Sequence, residues 1–389
     1  MIPAARIAAA IEILDTILTG EPVDKVLSNW GRGNRYAGSG DRAAIRDHVF
    51  DALRCQRSFA WRDGAQSGRA LMIGLASAQS LDVNALFSGE KFAPPVLSEA
   101  EQEQPDIALA PRSVQLDCPD WLQDRFDADL GQDSTAVLTA LQTRAPVFLR
   151  ANAAKGDRAG AIAALAKHEI ESQPHPLSPT AIEVTKNPRR IGASDAYQDG
   201  LVELQDAGSQ AVVDLLPLNS TSQVLDFCAG GGGKSLGIAA RGAARIAAHD
   251  AIVERMKDLP VRAERAGAEI EIVETDGLTG QSFDLVLCDV PCSGSGSWRR
   301  KPEAKWALNP DRLAELTALQ GAILDQAAPL TKIGGTLAYV TCSLFEVENR
   351  ARVDAFLSDH KSWQLVKDHA FLPLQGGDGF YLALLTWVS

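Results

Sequence analysis

From Leu204 to the C-terminus the sequence changes its hydrophobic period again and again, and this alternation limits the fold more than any other feature. Short runs rich in aliphatic residues (QVLDFC, RIAAHD, EIEIVETD, FDLVLCDV, GTLAYVTCS) are interleaved with stretches whose apolar residues recur every three or four positions, the longest over 310–329. Strands alternating with helices predict a doubly wound α/β sheet, because parallel neighbours need a crossover and a helix usually supplies it. QDAGSQAVVDLL predicts a helix entering the sheet, and the closing WQLVKD and GFYLALLTW predict an antiparallel edge. Ligands in such sheets sit beyond the carboxyl ends of the strands, so the residues just after each run form one constellation.

The chain has 389 residues, more than one core uses, so further domains are expected upstream. Residues 1–135 carry helical patterns (ARIAAAIEILDTIL, DRAAIRDHVFDALR, SGRALMIGLASAQ) and predict a small helical domain, with an acidic stretch of doubtful order over 98–113 and a short helix over 119–126. Residues 136–205 (PVFLRAN, GDRAGAIAALAKH, AIEVT) predict a compact α/β subdomain, too short for a full Rossmann unit, and 206–389 the doubly wound domain. With 46% hydrophobic and 23% charged residues, disorder and low-complexity scaffolds are excluded. No run reaches the ~18 apolar residues of a membrane span, and Glu12 and Asp15 interrupt the N-terminal apolar stretch where a signal peptide needs continuity. Together with six cysteines in no regular framework, this predicts a cytoplasmic protein with free thiols and no membrane partner.

Charge alone leaves the partner open. The net charge of −12 argues against tight nonspecific nucleic-acid binding. Yet between Ser28 and Ala70 eight arginines (Arg32, Arg35, Arg42, Arg46, Arg54, Arg57, Arg62, Arg69) face four aspartates (Asp41, Asp47, Asp51, Asp63), a local +4, whereas 82–133 carries a local −9. Such a segment presents a basic face or an ordinary helix surface of paired charges.

The chemistry lies after the strands. Cys228, Ala229, Gly230, Gly231, Gly232, Gly233 and Lys234 form a loop whose glycines let backbone approach a ligand at a helix N-terminus. A Walker A loop needs Gly where Cys228 stands, and a dinucleotide fingerprint needs Gly where Ser235 stands, so the loop suits a nucleoside cofactor without a phosphate chain. Asp250, after the second strand, is placed to take ribose hydroxyls, and Asp276, after the third, to accept from an adenine amino group; either by itself reads more often as an N-cap or turn residue, and three such positions after successive strands favour the cofactor. The next two strands end in Asp289-Val290-Pro291-Cys292-Ser293-Gly294 and Thr341-Cys342-Ser343, which sets two thiols at adjacent strand ends. A thiolate there is a strong nucleophile. Cys288, Cys55 and Cys118 read as small buried hydrophobes, and with no C-x-x-C pair no metal site is expected. Arg299, Arg300, Lys301 and Lys305, interleaved with Trp298 and Trp306, suit phosphate contact and base stacking.

These motifs resemble the RsmB/Sun (Fmu) branch of the RNA 5-methylcytosine methyltransferases, relatives of the eukaryotic NSUN enzymes, over nearly the whole chain. SGDRAAIRDHVFDALR is similar to its NusB-like N-terminal domain, QVLDFCAGGGGKS to its cofactor loop, and DVPCSGSGSWRRKPEAKW, GGTLAYVTCSLFEVENR and DGFYLALL to its remaining motifs. The resemblance implies a NusB-like RNA-binding domain over 1–135, an RRM-like subdomain over 136–205 and a Rossmann-like methyltransferase domain over 206–389. It also implies S-adenosylmethionine as cofactor, held by Cys228 to Lys234, Asp250, Asp276 and Asp289. Cys342 is then the nucleophile that adds to C6 of cytosine, Cys292 assists release, and Asp289 hydrogen-bonds the base. Two departures stand in backbone-shaping positions: Gly230-Gly231 where the family usually has Ala-Pro, and Val290 where Ala is usual. The expected substrate is small-subunit ribosomal RNA, with transfer RNA the nearest alternative and a non-catalytic RNA-binding assembly factor the alternative of another class. A monomer meets every expectation.

Overall fold

The computed structural model describes residues 1–61, 66–103 and 105–388, and the chain divides into two compact units, Met1–Arg144 with Trp298–Ala307, and Ala145–Ser297 with Leu308–Ser389. The described part of the first unit is built from helices: α1 (Pro3–Leu18), α2 (Val23–Gly33), α3 (Ser39–Arg54), α4 (Gln56–Trp61) and α5 (Gly68–Ala78) carry its core. Pro3 opens α1 where its missing N–H has no intrahelical partner to lose, and Ile7, Ala10, Ile13, Leu14 and Ile17 turn one stripe inward. Val49 and Leu53 of α3 and Leu71 and Leu75 of α5 meet that stripe. Gly74 permits the close crossing of α5 on α4, since a Cβ there would lie 2.6 Å from Phe59 Cα. The helical unit continues past the expected boundary at 135, because Val137, Leu138 and Leu141 of the helix Ser134–Leu141 are buried. Within the acidic stretch expected to lack order, Ser98 caps the helix Glu99–Gln102, and Glu101 pairs with Arg69 at 2.6 Å.

Residues 298–307 correct the sequence reading. The pattern predicts RNA contact for Trp298, Arg299, Arg300, Lys301 and Lys305; instead Trp298, Arg299 and Lys305 are buried in the helical unit, and Arg300 is half-buried. The reason lies at the end of α3, whose last carbonyls have no helical partners. Trp306 Nε1 donates to Leu53 O at 2.7 Å, Lys305 Nζ to Arg54 O at 3.1 Å, and Arg54 Nε to Arg299 O at 2.7 Å. Trp298 meets Phe126 edge to face at 6.1 Å between centroids. Burial holds the Lys305 ammonium below its ordinary pKa, opposed by the buried Asp117 carboxylate. Lys301 alone of the five stays exposed. Of the arginine-rich segment, Arg54, Arg57 and Arg69 are committed to Asp51, Asp120 and Glu101, while Arg32, Arg35, Arg42 and Arg46 are exposed; Arg62 and Asp63 lie outside the described residues.

The second unit contains two sheets. In the smaller, β1 (Val147–Ala151), β2 (Glu171–Pro174), β3 (Ala181–Lys186) and β4 (Val202–Leu204) lie in the order β2-β3-β1-β4, all antiparallel, with the helices Arg158–Ala166 and Asp195–Gln198 in the two crossovers. This is the βαββαβ ferredoxin-like arrangement. The larger contains β5 (Gln223–Asp226), β6 (Arg245–Ala248), β7 (Glu271–Ile272), β8 (Phe283–Asp289), β9 (Thr331–Thr341), β10 (Trp363–Phe371) and β11 (Phe380–Trp387) in the order β10-β11-β9-β8-β5-β6-β7. The five strands from β9 to β7 are parallel, and β11 and β10 close one edge antiparallel, as the sequence predicts.

β8 sits mid-sheet, covered on both faces, which explains its unbroken apolar run FDLVLCD. β7 is shorter than EIEIVETD suggests: its two residues are exposed at the sheet edge, where a long strand would offer unpaired backbone to other chains. The opposite edge, β10, carries Lys367 and Asp368 and a register irregularity after Leu365, devices that blunt an edge in the same way. The chain runs from β5 outward through β6 to β7 and then returns to the other side of β5 as β8. β5 and β8 therefore flank the topological switch point, and their carboxyl ends open the crevice where such folds bind ligands.

Candidate active site at the switch point

The glycine loop follows β5. Gly230 and Gly232 adopt left-handed backbone (φ +50° and +75°), and a Cβ on Gly232 would lie 2.2 Å from Leu259 Cδ1, so glycine is required there. Long-range contacts fix this otherwise pliant loop. Gly230 N donates to Asp250 Oδ2 at 3.0 Å, the Arg262 guanidinium donates to Gly231 O, and Arg150 Nη1 donates to Gly233 O at 2.8 Å. Asp250 is buried, its other oxygen accepting from Ile252 N at 2.9 Å, and Arg255 lies 3.2 Å away. Asp276 stands in the exposed turn after β7. Asp226, the last residue of β5, is fully buried; Ser235 Oγ donates to its Oδ2 at 2.6 Å, and its Oδ1 has no partner among the described residues. Burial pushes its carboxyl up to about 7, reinforced by the charge of Asp289 and opposed by the Ser235 bond.

The strand pairing brings the two cysteine motifs together. β8 and β9 are parallel neighbours with Asp289 opposite Val340, so the loops leaving them run side by side. Cys292 Sγ and Cys342 Sγ are 3.4 Å apart, and Gly296 N donates to Cys342 O at 2.9 Å. The shared proton makes the thiols unequal. Accepting the Cys292 S–H lowers the Cys342 pKa, helped by Lys234 and Ser297 against burial and Asp289; donating it, with burial, pushes the Cys292 thiol well up. Lys234 Nζ contacts Asp289 Oδ2 at 2.5 Å and lies over the Phe380 ring, 5.0 Å from its centroid. Cys228 and Cys288 have thiols pushed up by burial, as do Cys55 and Cys118 in the helical unit, Cys118 to about 12. Among the six cysteines, only Cys342 is shifted toward the thiolate.

The expected residues Cys228 to Lys234, Asp250, Asp289, Cys292 and Cys342 thus gather around one crevice, with Asp276 at the turn following β7. Other residues that hold it together are not among the expected site residues, although Glu348 and Asn349 lie within the quoted motif GGTLAYVTCSLFEVENR. Glu348 is buried and accepts from Ser293 N at 2.8 Å, Ser293 Oγ at 2.5 Å, Ser343 Oγ at 2.5 Å and Gln320 Nε2 at 3.0 Å. Asn349 Oδ1 accepts from Thr341 Oγ1 at 2.6 Å, and its Nδ2 donates to Ser343 O at 3.0 Å. The one local signal is the Glu348-Asn349 pair closing a turn just beyond the second cysteine motif. Arg150 and Arg262 give no local signal, since their partners lie 83 and 31 residues away. A polarised thiol pair, a carboxylate–ammonium pair and a backbone cradle at a helix N-terminus suit nucleophilic addition to a polar ring beside a nucleoside-type cofactor.

Comparison with known proteins shows the family of the chain. Residues 213–386 match the family model described as 16S rRNA methyltransferase RsmB/F, and 118–190 match its ferredoxin-like domain. The chain is 35% identical over 307 residues to ribosomal RNA small subunit methyltransferase B of Sodalis glossinidius, covering 74% of this chain and 70% of the relative. It is 33% identical over 282 residues to the protein of that name from Serratia proteamaculans, covering 69% and 66%. The alignments thus span about two thirds of the relatives' length. Among solved structures, the crystal structure of PH0851 superposes with a TM-score of 0.79 over 99% of both chains at 23% identity. A methyltransferase homologue from Pyrococcus horikoshii gives 0.62 over 72% of this chain and 100% of that one at 22% identity; both likenesses concern the fold.

Proposed function

The chain belongs to the RsmB/F family of 16S rRNA methyltransferases, and from that premise we propose that it methylates C5 of a cytosine in small-subunit ribosomal RNA through a covalent Cys342 adduct. The observation that carries the reading is the thiol pair, its sulfurs 3.4 Å apart, in which Cys342 is the one shifted toward the thiolate. C5 of cytosine is a poor nucleophile, but addition of the Cys342 thiolate at C6 makes it enamine-like. Asp289, gripped by Lys234, is placed to hydrogen-bond the base and support protonation at N3. In release the C5 proton passes to water, the C5–C6 double bond re-forms, and the C6–S electron pair returns to Cys342. The Cys292 S–H then hydrogen-bonds the departing thiolate, which is how it assists turnover.

The residues present fit S-adenosylmethionine. The crevice offers the buried carboxylates Asp226 and Asp250, one of them with an unpartnered oxygen, beside a short glycine loop. Acids suit ribose hydroxyls, an amino group and a sulfonium, and disfavour a phosphate chain. When bound, the cofactor supplies an electrophilic methyl group; Gly230 to Lys234, Asp250 and Asp276 would hold it.

We assign RNA contact in the helical unit to the exposed Arg32, Arg35, Arg42 and Arg46, in keeping with a NusB-like role. Among the described residues no helix is long and apolar enough to cross a membrane, and the reading takes the enzyme as a cytoplasmic monomer. Nucleoside mass spectrometry of ribosomal and transfer RNA from a strain lacking the protein, before and after incubation with enzyme and S-adenosylmethionine, tests the proposal. New 5-methylcytosine in the small-subunit fraction supports it. A gain in transfer RNA alone moves the substrate, and no gain in either favours the assembly-factor alternative.

A further inference from the structure

Glu348 touches neither sulfur, yet its carboxylate accepts from both loops that carry them: Ser293, next to Cys292, and Ser343, next to Cys342. Gln320 Nε2 supplies a fourth donor, and Tyr339 Oη donates to the Glu348 backbone carbonyl at 2.6 Å, which fixes the residue from the strand side. A fully buried carboxyl that meets only donors is in the pattern of an ionised carboxylate, whose oxygens can only accept. Burying that charge is costly unless every lone pair is used, so its retention against two serines points to a task.

We propose that Glu348 is the positioning residue of the cysteine pair: it locks the two loops at thiol–thiolate distance and its charge keeps the shared proton on Cys292. The inference rests on the methyltransferase reading above. Cys342 and Cys292 share one proton, and the sulfur nearer a fixed negative charge keeps it. Ser293, directly after Cys292, holds Glu348 through both its N–H and its Oγ, whereas Ser343, directly after Cys342, holds it through Oγ alone, so the charge is tied more closely to the Cys292 loop; it adds to the contact with Cys342 and to burial in raising the Cys292 pKa. On the other side, Lys234 favours the Cys342 thiolate, with Asp289 opposing it. Further ionisable groups around this cluster are Tyr339 and Tyr381, whose phenols burial holds protonated, and Arg352. In release, a protonated Cys292 is the donor that the departing Cys342 thiolate needs; without its proton the adduct persists.

The test is the pH at which the protein–RNA adduct accumulates, read on denaturing gels with the full chain, a small-subunit RNA substrate and S-adenosylmethionine. Glu348→Gln keeps size, an oxygen to accept from Ser293 N and Gln320 Nε2, and an NH2 that the two serine hydroxyls can accept from, but loses the charge. The half-accumulation pH should fall by about 0.5–1 unit. Ser343→Ala keeps the charge and loosens one tie, so kcat should fall with that pH unmoved. A folded Glu348→Gln enzyme with an unshifted midpoint, or an equal shift in Ser343→Ala, overturns the inference. A measurement on the unsubstituted protein guards against a variant that does not fold: iodoacetamide labelling across pH should modify Cys342 first and Cys292 only at higher pH. The reverse order overturns the proposal. If the unsubstituted protein forms neither adduct nor 5-methylcytosine, the methyltransferase reading fails and this inference with it.

Discussion

At the scale of single residues, the site depends on where charges are held. Lys234 stabilises the Cys342 thiolate and grips Asp289, so Lys234→Met should raise the Cys342 pKa and move the acid limb of its alkylation rate to higher pH, with kcat down roughly 10–100-fold. Iodoacetamide rates measured across pH check the direction. Asp226 behaves in the opposite sense to a paired surface acid. Its folded pKa of about 7 lies above the unfolded value of ~3.9, so folding favours its protonated form. The corresponding stability is fully present below the unfolded value and is lost as pH rises through about 7. Asp226→Asn, which can keep the Ser235 bond, should therefore stabilise the protein increasingly between pH 4 and 8, by an amount on the order of 2–4 kcal/mol at the upper end. Thermal unfolding across that range would show a difference in Tm that widens with pH. Cys342, Cys292 and Asp289 are legible in the sequence as a group because neighbouring strands place their following loops side by side. Glu348 is not, because its place just beyond the second cysteine motif does not reveal that it also binds Ser293, 55 residues away on the other loop.

At the scale of elements, the segment 298–307 shows where pattern reading fails. Cations interleaved with tryptophans look like an RNA surface, and the same pattern serves to cap a helix end, because ammonium and indole N–H groups satisfy orphan carbonyls as well as they satisfy phosphates. Only the partner decides, and α3 lies more than 240 residues upstream of Lys305 and Trp306. Trp298→Ala should cost about 3–5 kcal/mol of stability through the cavity it leaves. At temperatures where the variant stays folded, RNA affinity should be unchanged; filter binding and thermal unfolding separate the two roles. Strands are legible where both faces are buried, as in β8, and over-extended by the pattern where exposure shortens them, as in β7. An amphipathic pattern reports the face a strand presents and not the length that solvent allows.

For the whole molecule, a net charge of −12 confines RNA attraction to local basic faces. Replacing the exposed Arg32, Arg35, Arg42 and Arg46 by alanine should weaken RNA binding uniformly across sequences and flatten the salt dependence of log K by about 0.7 for each phosphate no longer neutralised. Salt titrations of binding would show this with methyl-transfer chemistry intact. The doubly wound class and the division into helical and α/β parts are readable from hydrophobic period alone, whereas the strand order is not. The assignment of 298–307 to the helical unit is not, since it depends on partners far along the chain.

The central claim is that Cys342 attacks and Cys292 releases. Purified protein, Cys292→Ala and Cys342→Ala incubated with unmodified small-subunit RNA and S-adenosylmethionine, then denatured and resolved by electrophoresis with intact-mass readout, tests it most directly. The account predicts a denaturant-stable protein–RNA adduct that accumulates with Cys292→Ala and is absent with Cys342→Ala. An adduct that persists in Cys342→Ala and is lost in Cys292→Ala would contradict it.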